Sequence, residues 1–287
     1  MVKRKAQKRK AIGKSENRND QFENIAAHIE AYEEAGNPVI SVDTKKKEQL
    51  GGLYRDGYLY VQSGQELIRR DHDFSYLSEG VIVPHGIYDK FNNTAFLNIG
   101  VSKETSEFAC DSIRYWWNYR GKYDWPNADS ILMLVDAGGS NSYRSILFKE
   151  DLQKLVDAIG VEVRVAHYPP YCSKWNYIEH RVFPHLTRAL QGLIFESHEV
   201  FKELSETTTT TYGLRLKANI IRKEYKTGRV PSAQYGELSP VYYDEFLPDW
   251  NYVVRPENIL VTVNFIIFFF LSVNYMIQDI RIVNNVL

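Results

Sequence analysis

Residues 131–165 read ILMLVDAGGSNSYRSILFKEDLQKLVDAIGVEVRV. The stretch opens on Ile131 to Val135, an unbroken apolar run of strand length, and the run ends in a carboxylate, Asp136. Such a run, without alternation, is what a strand covered on both faces needs. From Arg144 to Ile159 the pattern changes period: Leu152, Leu155, Val156 and Ile159 recur at helical spacing, and Gly160 supplies the stop. Val161 to Val165 is strand-like again. Strand, helix and strand in succession mark a sheet with helices packed on it, an α/β class.

Working upstream, Asp20 to Ala35 reads as a helix, with Phe22, Ile25, Ala26 and Ile29 on one face and Gly36 as its end. Asn37-Pro38 then leads into Val39 to Asp43, a second short buried strand that ends in a carboxylate. Gly51-Gly52 is a turn. Tyr54 to Val61, Gly80 to Pro84 and Ala95 to Gly100 suit strands, with Gly86 and Asn92-Asn93 as turn signals. Thr105 to Arg120 is a helix that ends at Gly121, and its Trp116-Trp117 pair belongs in the core. Downstream, Pro169-Pro170 precedes a helix over Asn176 to Leu190, with Ile178, Val182, Leu186, Ala189 and Leu190 on one face. Glu179 sits one turn into it.

Of 287 residues, 44% are apolar and 25% charged, which excludes global disorder and fibrous repeats. Two cysteines, Cys110 and Cys172, stand far apart with no C-x-x-C pair. That excludes a disulfide scaffold and a structural zinc site, and it fits a reduced, cytoplasmic protein. The net charge of −1 hides an asymmetry: residues 1–20 sum to +6. Such a block is a solvated arm that also suits phosphates. It has no apolar core of the kind a secretory signal carries. At the other end, Asn258 to Gln278 is uncharged and long enough to span a bilayer. Thr262, Asn264, Ser272 and Asn274 interrupt it, and its β-branched and aromatic residues suit strands equally.

Three carboxylates stand out by position: Asp43 and Asp136 at strand ends, and Glu179 on the late helix. Strand ends are where α/β folds place chemistry, and hard oxygen donors of this kind suit magnesium or manganese. By spacing alone, a carboxylate at a strand end is also an ordinary turn residue or helix cap, and both readings stand.

The surrounding residues extend this. Asp43 opens Asp-Thr-Lys-Lys-Lys-Glu, Asp136 opens Asp-Ala-Gly-Gly-Ser-Asn, and Glu179 lies within His-Tyr-Pro-Pro-Tyr-Cys-Ser-Lys-Trp-Asn-Tyr-Ile-Glu-His-Arg-Val-Phe. With Gly86-Ile87-Tyr88-Asp89, Ser112-Ile113-Arg114-Tyr115-Trp116-Trp117, Thr207–Thr211 with Gly213-Leu214, and Asp249-Trp250-Asn251-Tyr252, the chain resembles the DDE transposases of bacterial insertion sequences, ISAzo-type, also labelled Rhodopirellula-type. The resemblance runs from about Asp20 to Pro256. It implies an RNase H-like fold, a mixed five-stranded sheet with flanking helices. It implies Asp43, Asp136 and Glu179 as a triad binding two Mg2+ (or Mn2+) ions, and DNA strand cleavage and strand transfer at the element's ends. Lys45, Lys46, Arg144, Lys174, Trp175, His180 and Arg181 are the DNA-binding candidates it offers. The implied partners are DNA and further copies of the chain, with no small-molecule substrate and no membrane, at the nucleoid.

The chain also departs from that family. Tyr171-Cys172 stands where Gly-Thr is usual, Tyr177 where Pro is usual, and Ser142 near an expected glycine. Pro184 falls inside the predicted helix, where it is expected to kink the chain and shift Glu179. The expected organisation is a basic arm over 1–20, a catalytic domain over 21–256 and an apolar tail over 257–287, without the helix-turn-helix region such enzymes carry in front. On that reading the enzyme is truncated and inactivity is open. The alternative is a non-catalytic remnant serving as a DNA-binding or dimerising module.

Overall fold

A computed structural model describes residues 17–54, 57–58, 62–64, 78–232, 235 and 241–257. The chain opens with α1 (Arg18–Glu34), which buries Gln21, Ile25 and Tyr32. Four strands follow: β1 (Val39–Thr44), β2 (Glu48–Leu50), β3 (Gly80–Asp89) and β4 (Thr94–Gly100). Thr105 caps α2 (Ser106–Trp116) by accepting the Phe108 N–H at 3.1 Å. The helix continues through a wider turn, Trp117–Gly121, into α3 (Lys122–Asp124). Then come β5 (Ser130–Val135) and α4 (Ile146–Ile159), which is capped by Ser145 and closed by Gly160 in the left-handed region, φ 69°. β6 (Glu162–His167), α5 (Tyr177–Arg181), α6 (Phe183–Leu190), α7 (His198–Glu206), β7 (Arg215–Ile221), β8 (Val241–Tyr243) and β9 (Asn251–Val254) complete the order.

The strands form one sheet in the order β7-β4-β3-β1-β5-β6-β9-β8, with β2 paired to β3. The middle five, β4-β3-β1-β5-β6, are the expected mixed unit. β1 runs antiparallel to β3 and parallel to β5, and β5 runs parallel to β6. The sheet is wider than expected because β7 adds in parallel to β4, and β9 and β8 extend the β6 edge. β5 is buried along its whole length, as its continuous apolar run requires. Its residues alternate between two layers. Ile131, Met133 and Val135 join Trp116, Trp117, Phe148 and Leu152 of the α2–α4 side, while Leu132 and Leu134 join Ile25 and Tyr32 of α1. A further apolar cluster packs α5, α6 and α7 on β3, β4 and β7.

Three local expectations are corrected. Gly86 is no turn; it lies inside β3, opposite Asp43 of β1. Gly121 does not end the helix. A Cβ there would lie 2.7 Å from Trp117 and 3.1 Å from Trp116, so glycine lets the helix continue under the buried tryptophan pair. The helix over Asn176–Leu190 is two helices that break at Val182 (φ −125°, ψ −60°), and Pro184 occupies the first turn of the second. Proline is favoured there because its missing N–H has no helical acceptor to lose. Pro184 therefore leaves the turn that holds Glu179 intact. Most of the Tyr54–Val61 strand, His72, most of the basic arm and the apolar run Asn258–Gln278 lie outside the described residues. Among the described residues no helix is long and apolar enough to cross a membrane.

One buried group carries a stability cost. His85 on β3 is fully buried with no partner for either ring nitrogen among the described residues, its ring centroid 5.7 Å from that of Phe108. Burial lowers its pKa to about 3. The unfolded chain takes up this proton near pH 6.5 and the folded chain only near 3. Its contribution is therefore complete above pH 6.5 and is lost as pH falls through that window, by up to about 1.4 kcal/mol per pH unit. His85→Leu is expected to flatten the acid limb of a Tm-against-pH profile; an acid limb identical to that of the native protein would contradict this.

Candidate active site

Register brings the first two acids together. Val42 of β1 pairs with Val135 of β5 in parallel, so the next residues, Asp43 and Asp136, leave neighbouring strand ends in step. Asp43 accepts the Thr44 N–H at 2.8 Å. Glu179 enters from the first turn of α5 and comes near enough to Asp43 to raise its pKa. Asp43 and Asp136 thus stand side by side at the strand ends, with Glu179 approaching Asp43 from the helix.

Their electrostatics follow from that crowding. Burial, the nearby Glu179 and repulsion from Asp136 raise the Asp43 pKa to about 8. Asp136 is raised to about 6, by burial first, against a lowering bond from Asn176 and with a smaller repulsion from Glu179. Both shifts say that the site disfavours its own negative charge.

The residue that locks the arrangement is Asn176, read from the sequence only as a helix start. It is fully buried. Its Nδ2 donates to Asp136 Oδ1 at 3.2 Å and to the Val42 carbonyl at 3.3 Å. Its Oδ1 accepts the Ser41 hydroxyl, and Ser41 Oγ accepts the Ile178 N–H at 2.9 Å. One amide and one hydroxyl therefore bind α5 to β1 and to the second aspartate. The one sequence signal is a serine in the otherwise apolar Val39–Val42. Gly86 completes the seat: a Cβ there would lie 2.6 Å from Ile178 Cδ1 and 2.9 Å from Phe183, so only glycine lets α5 approach the sheet beside Asp43. His167, with no role assigned from the sequence, supports Asp136 through its backbone carbonyl. Its Nδ1–H donates to the Asp136 carbonyl at 3.1 Å, and its Nε2 accepts from Tyr252 at 3.1 Å. Burial lowers its pKa to about 4 and keeps it neutral.

Asp43 and Asp136 open into a cleft of about 710 Å³ lined also by Gly138, Gly139, Tyr143, Arg144 and the Pro169–Cys172 turn. The candidate DNA contacts divide around it. Arg144 lines this cleft and is exposed. Lys46 is exposed beside Asp43, but Lys45 is committed to Glu48 at 2.9 Å. Lys174 lies exposed with its Nζ 5.2 Å over the Trp175 ring. Trp175, His180 and Arg181 are not at the aspartates; they line a separate cleft against α1.

The donor set fits a hard divalent cation: Asp43 and Asp136 are carboxylates on the wall of a cleft, both raised first by burial, with Glu179 near Asp43. Among the described residues no three His, Cys, Asp or Glu side chains converge as a ready-made cage. A cation would favour the charged form of both aspartates. Because the folded pKa of Asp43 is raised, its contribution is intact at low pH and is lost as pH rises through about 8. Asp43→Asn is therefore expected to stabilise the metal-free protein at pH 9 by about 1–3 kcal/mol and to abolish stabilisation by Mn2+. A variant less stable than the native chain in EDTA would count against it. Asn176→Ala is expected to cost about 2 kcal/mol in denaturant unfolding, with Mn2+ binding weakened; a loss below about 0.5 kcal/mol would show that the latch carries little.

Solved structures of Mos1 transposase complexes are similar to the chain: the Mos1 mariner paired-end complex with Mn at 17% identity and TM-score 0.43, and the paired-end complex with left transposon end at 16% and 0.45. A pre-cleavage Mos1 transpososome matches at 15% and 0.44. Each match covers 72% of this chain and 60% of the other, so the chain spans about 60% of the length of those it matches. No curated protein matches it. The family model for the Rhodopirellula transposase DDE domain matches residues 2–256, a span that takes in all three acids and reaches back through most of the basic arm. The chain belongs to this family of transposase DDE domains, of RNase H-like fold.

Proposed function

We propose that this chain is the catalytic domain of an insertion-sequence transposase that cuts a DNA strand at the element's ends and joins the freed 3′-hydroxyl to target DNA. The observation that carries this reading is the placement of Asp43 and Asp136 at the ends of the in-register strands β1 and β5, with Glu179 approaching Asp43 from α5, within the family match. Asp43 and Asp136 would hold the metal, with Glu179 as the third ligand. When bound, two Mg2+ (or Mn2+) ions supply Lewis-acid stabilisation of the oxygens entering and leaving phosphorus. In cleavage a water oxygen bonds to phosphorus as the bond to the 3′ oxygen breaks; in transfer that 3′-hydroxyl is the nucleophile and a target-strand oxygen leaves.

The protein's own residues set the stage. Asn176 keeps one Asp136 oxygen engaged and so fixes the direction of the other. Arg144, on the cleft wall, would take phosphate oxygens, with exposed Lys46 and Lys174 as further candidates, whereas Lys45, bonded to Glu48, would support the loop. Trp175, His180 and Arg181 serve DNA from their own cleft. We take 21–256 as the catalytic region, with the basic residues 1–20 adding phosphate contacts and 257–287 outside it. The protein would act as a homo-oligomer on nucleoid DNA.

The test is nicking of supercoiled plasmid carrying the element's own ends, by the full chain, with Mn2+. Nicks bearing 3′-hydroxyls are expected, lost by about 10²-fold or more in Asp136→Asn and Glu179→Gln. A folded chain that binds this DNA without cutting it, or an Asp136→Asn variant that cuts equally well, would overturn the catalytic reading and favour the DNA-binding remnant.

A further inference from the structure

We propose that the cleft between α1 and α5 binds an unpaired stretch of DNA, seating one or two bases on aromatic rings with their phosphates on a cluster of cations. The cleft holds about 600 Å³. Phe22 of α1 supplies apolar floor, and Trp175 and Tyr177 supply rings. Lys90 and Arg181 bring the cations, His180 adds an imidazole, and no carboxylate is among the described residues that line the cleft. Several of the chain's arginines face carboxylates, Arg114, Arg120, Arg164, Arg222 and Arg229 among them. Lys90 and Arg181 have no carboxylate partner among the described residues. The Lys90 ammonium instead lies 4.5 Å from the Phe91 ring centroid and 5.9 Å from that of Tyr177. Trp175 is 52% exposed and held edge-on against Phe22 at 5.9 Å, a rigid ring with surface to spare.

Cations without counterions over an apolar floor with exposed rings are the composition of a single-strand site. A duplex presents phosphates and keeps its bases stacked inside, so it can use the cations but has no free base face for the rings. An unpaired strand uses both. Position adds to this. The segment from Tyr168 to Arg181 contributes Pro169 to Cys172 to the carboxylate cleft and Trp175, Tyr177, His180 and Arg181 to this one. The same five-residue helix thus turns Glu179 towards Asp43 and sends His180 and Arg181 to the second cleft. A strand opened beside the scissile phosphate has the cleft next to it. The inference rests on the chain acting on DNA, and it adds the state of that DNA: locally unpaired.

The test is fluorescence anisotropy of the full chain, in EDTA, with a blunt duplex and the same duplex carrying a four-nucleotide single-stranded overhang. The overhang is expected to bind on the order of tenfold tighter. The Lys90→Ala/Trp175→Ala double variant is expected to lose that preference, and Trp175→Phe to retain most of it. Equal affinity of the native chain for both probes would overturn the proposal, as would a folded double variant that keeps the preference. Asp136→Asn separates the two readings. Overhang preference in a chain that never nicks DNA leaves this inference standing and removes the catalytic one; nicking lost in Asp136→Asn by a chain with no preference does the reverse.

Discussion

Between β1 and β5 the register pairs Val42 with Val135, and the next residue on each strand is an aspartate. Two carboxylates side by side, with a third arriving from α5, repel each other in a half-buried place. A flexible support would let them part. Here the support is the middle of the sheet, where Ile40, Val42 and Ile131–Val135 are packed from both sides and cannot give. Burial first, and repulsion after it, therefore appear in the folded state as raised carboxyl pKa values instead of as displacement. Stability is set against affinity for a cation: the same charge that weakens the bare protein would hold the metal.

The third acid depends on a different device. α5 is a five-residue helix, too short to hold itself, and it is kept in place by what it binds. Ser41 and Asn176 supply polar ties in an otherwise apolar layer, each buried group using its bonds on another. Ile178 and Phe183 then press on Gly86, where the missing side chain sets the distance between helix and sheet. The break at Val182 frees α6 from the direction of α5, so that Leu186 and Leu190 pack in the cluster under β3 and β4 while Glu179 stays at Asp43. Pro184 marks the start of this second direction and favours it.

Much of this was legible in the sequence where one residue's role is local. The apolar runs before Asp43 and Asp136, the helix stop at Gly160 and the buried Trp116-Trp117 pair all follow from short-range pattern. What could not be read depends on partners far along the chain. Gly86 and Gly121 look like punctuation, because the sequence does not show the Ile178 and tryptophan side chains that need their space. Pro184 looks like a fault until the break at Val182 places it in a first turn. Asn176 looks like a helix start, and its bonds to residues 41, 42 and 136 belong to tertiary structure alone. β8 and β9 are three and four residues long and give little periodic signal, whereas Arg215 to Ile220 of β7 alternates polar and apolar residues and was legible as a strand; together they make the sheet wider than the five strands expected.

The turn between β6 and α5 shows how far these constraints reach. Where glycine is usual in the family, Tyr171 adopts φ 63°, a left-handed conformation that costs a residue with a side chain about 1–2 kcal/mol. A tight turn imposes it: Cys172 N–H donates to the Pro169 carbonyl at 3.2 Å, which puts Pro170 and Tyr171 at the two central positions, and the second of these takes positive φ when proline holds the first. The turn lies between two anchored points, Tyr168 N–H bound to the Val135 carbonyl at 2.8 Å and Trp175 N–H bound to the Cys172 carbonyl at 2.8 Å, ahead of the Asn176 latch. The consequence is a tyrosine 82% exposed on the wall of the carboxylate cleft, with the buried Cys172 beside it. The course of the chain is thus dictated by the need to deliver Glu179 to Asp43, and the strain at Tyr171 is the local cost of that delivery.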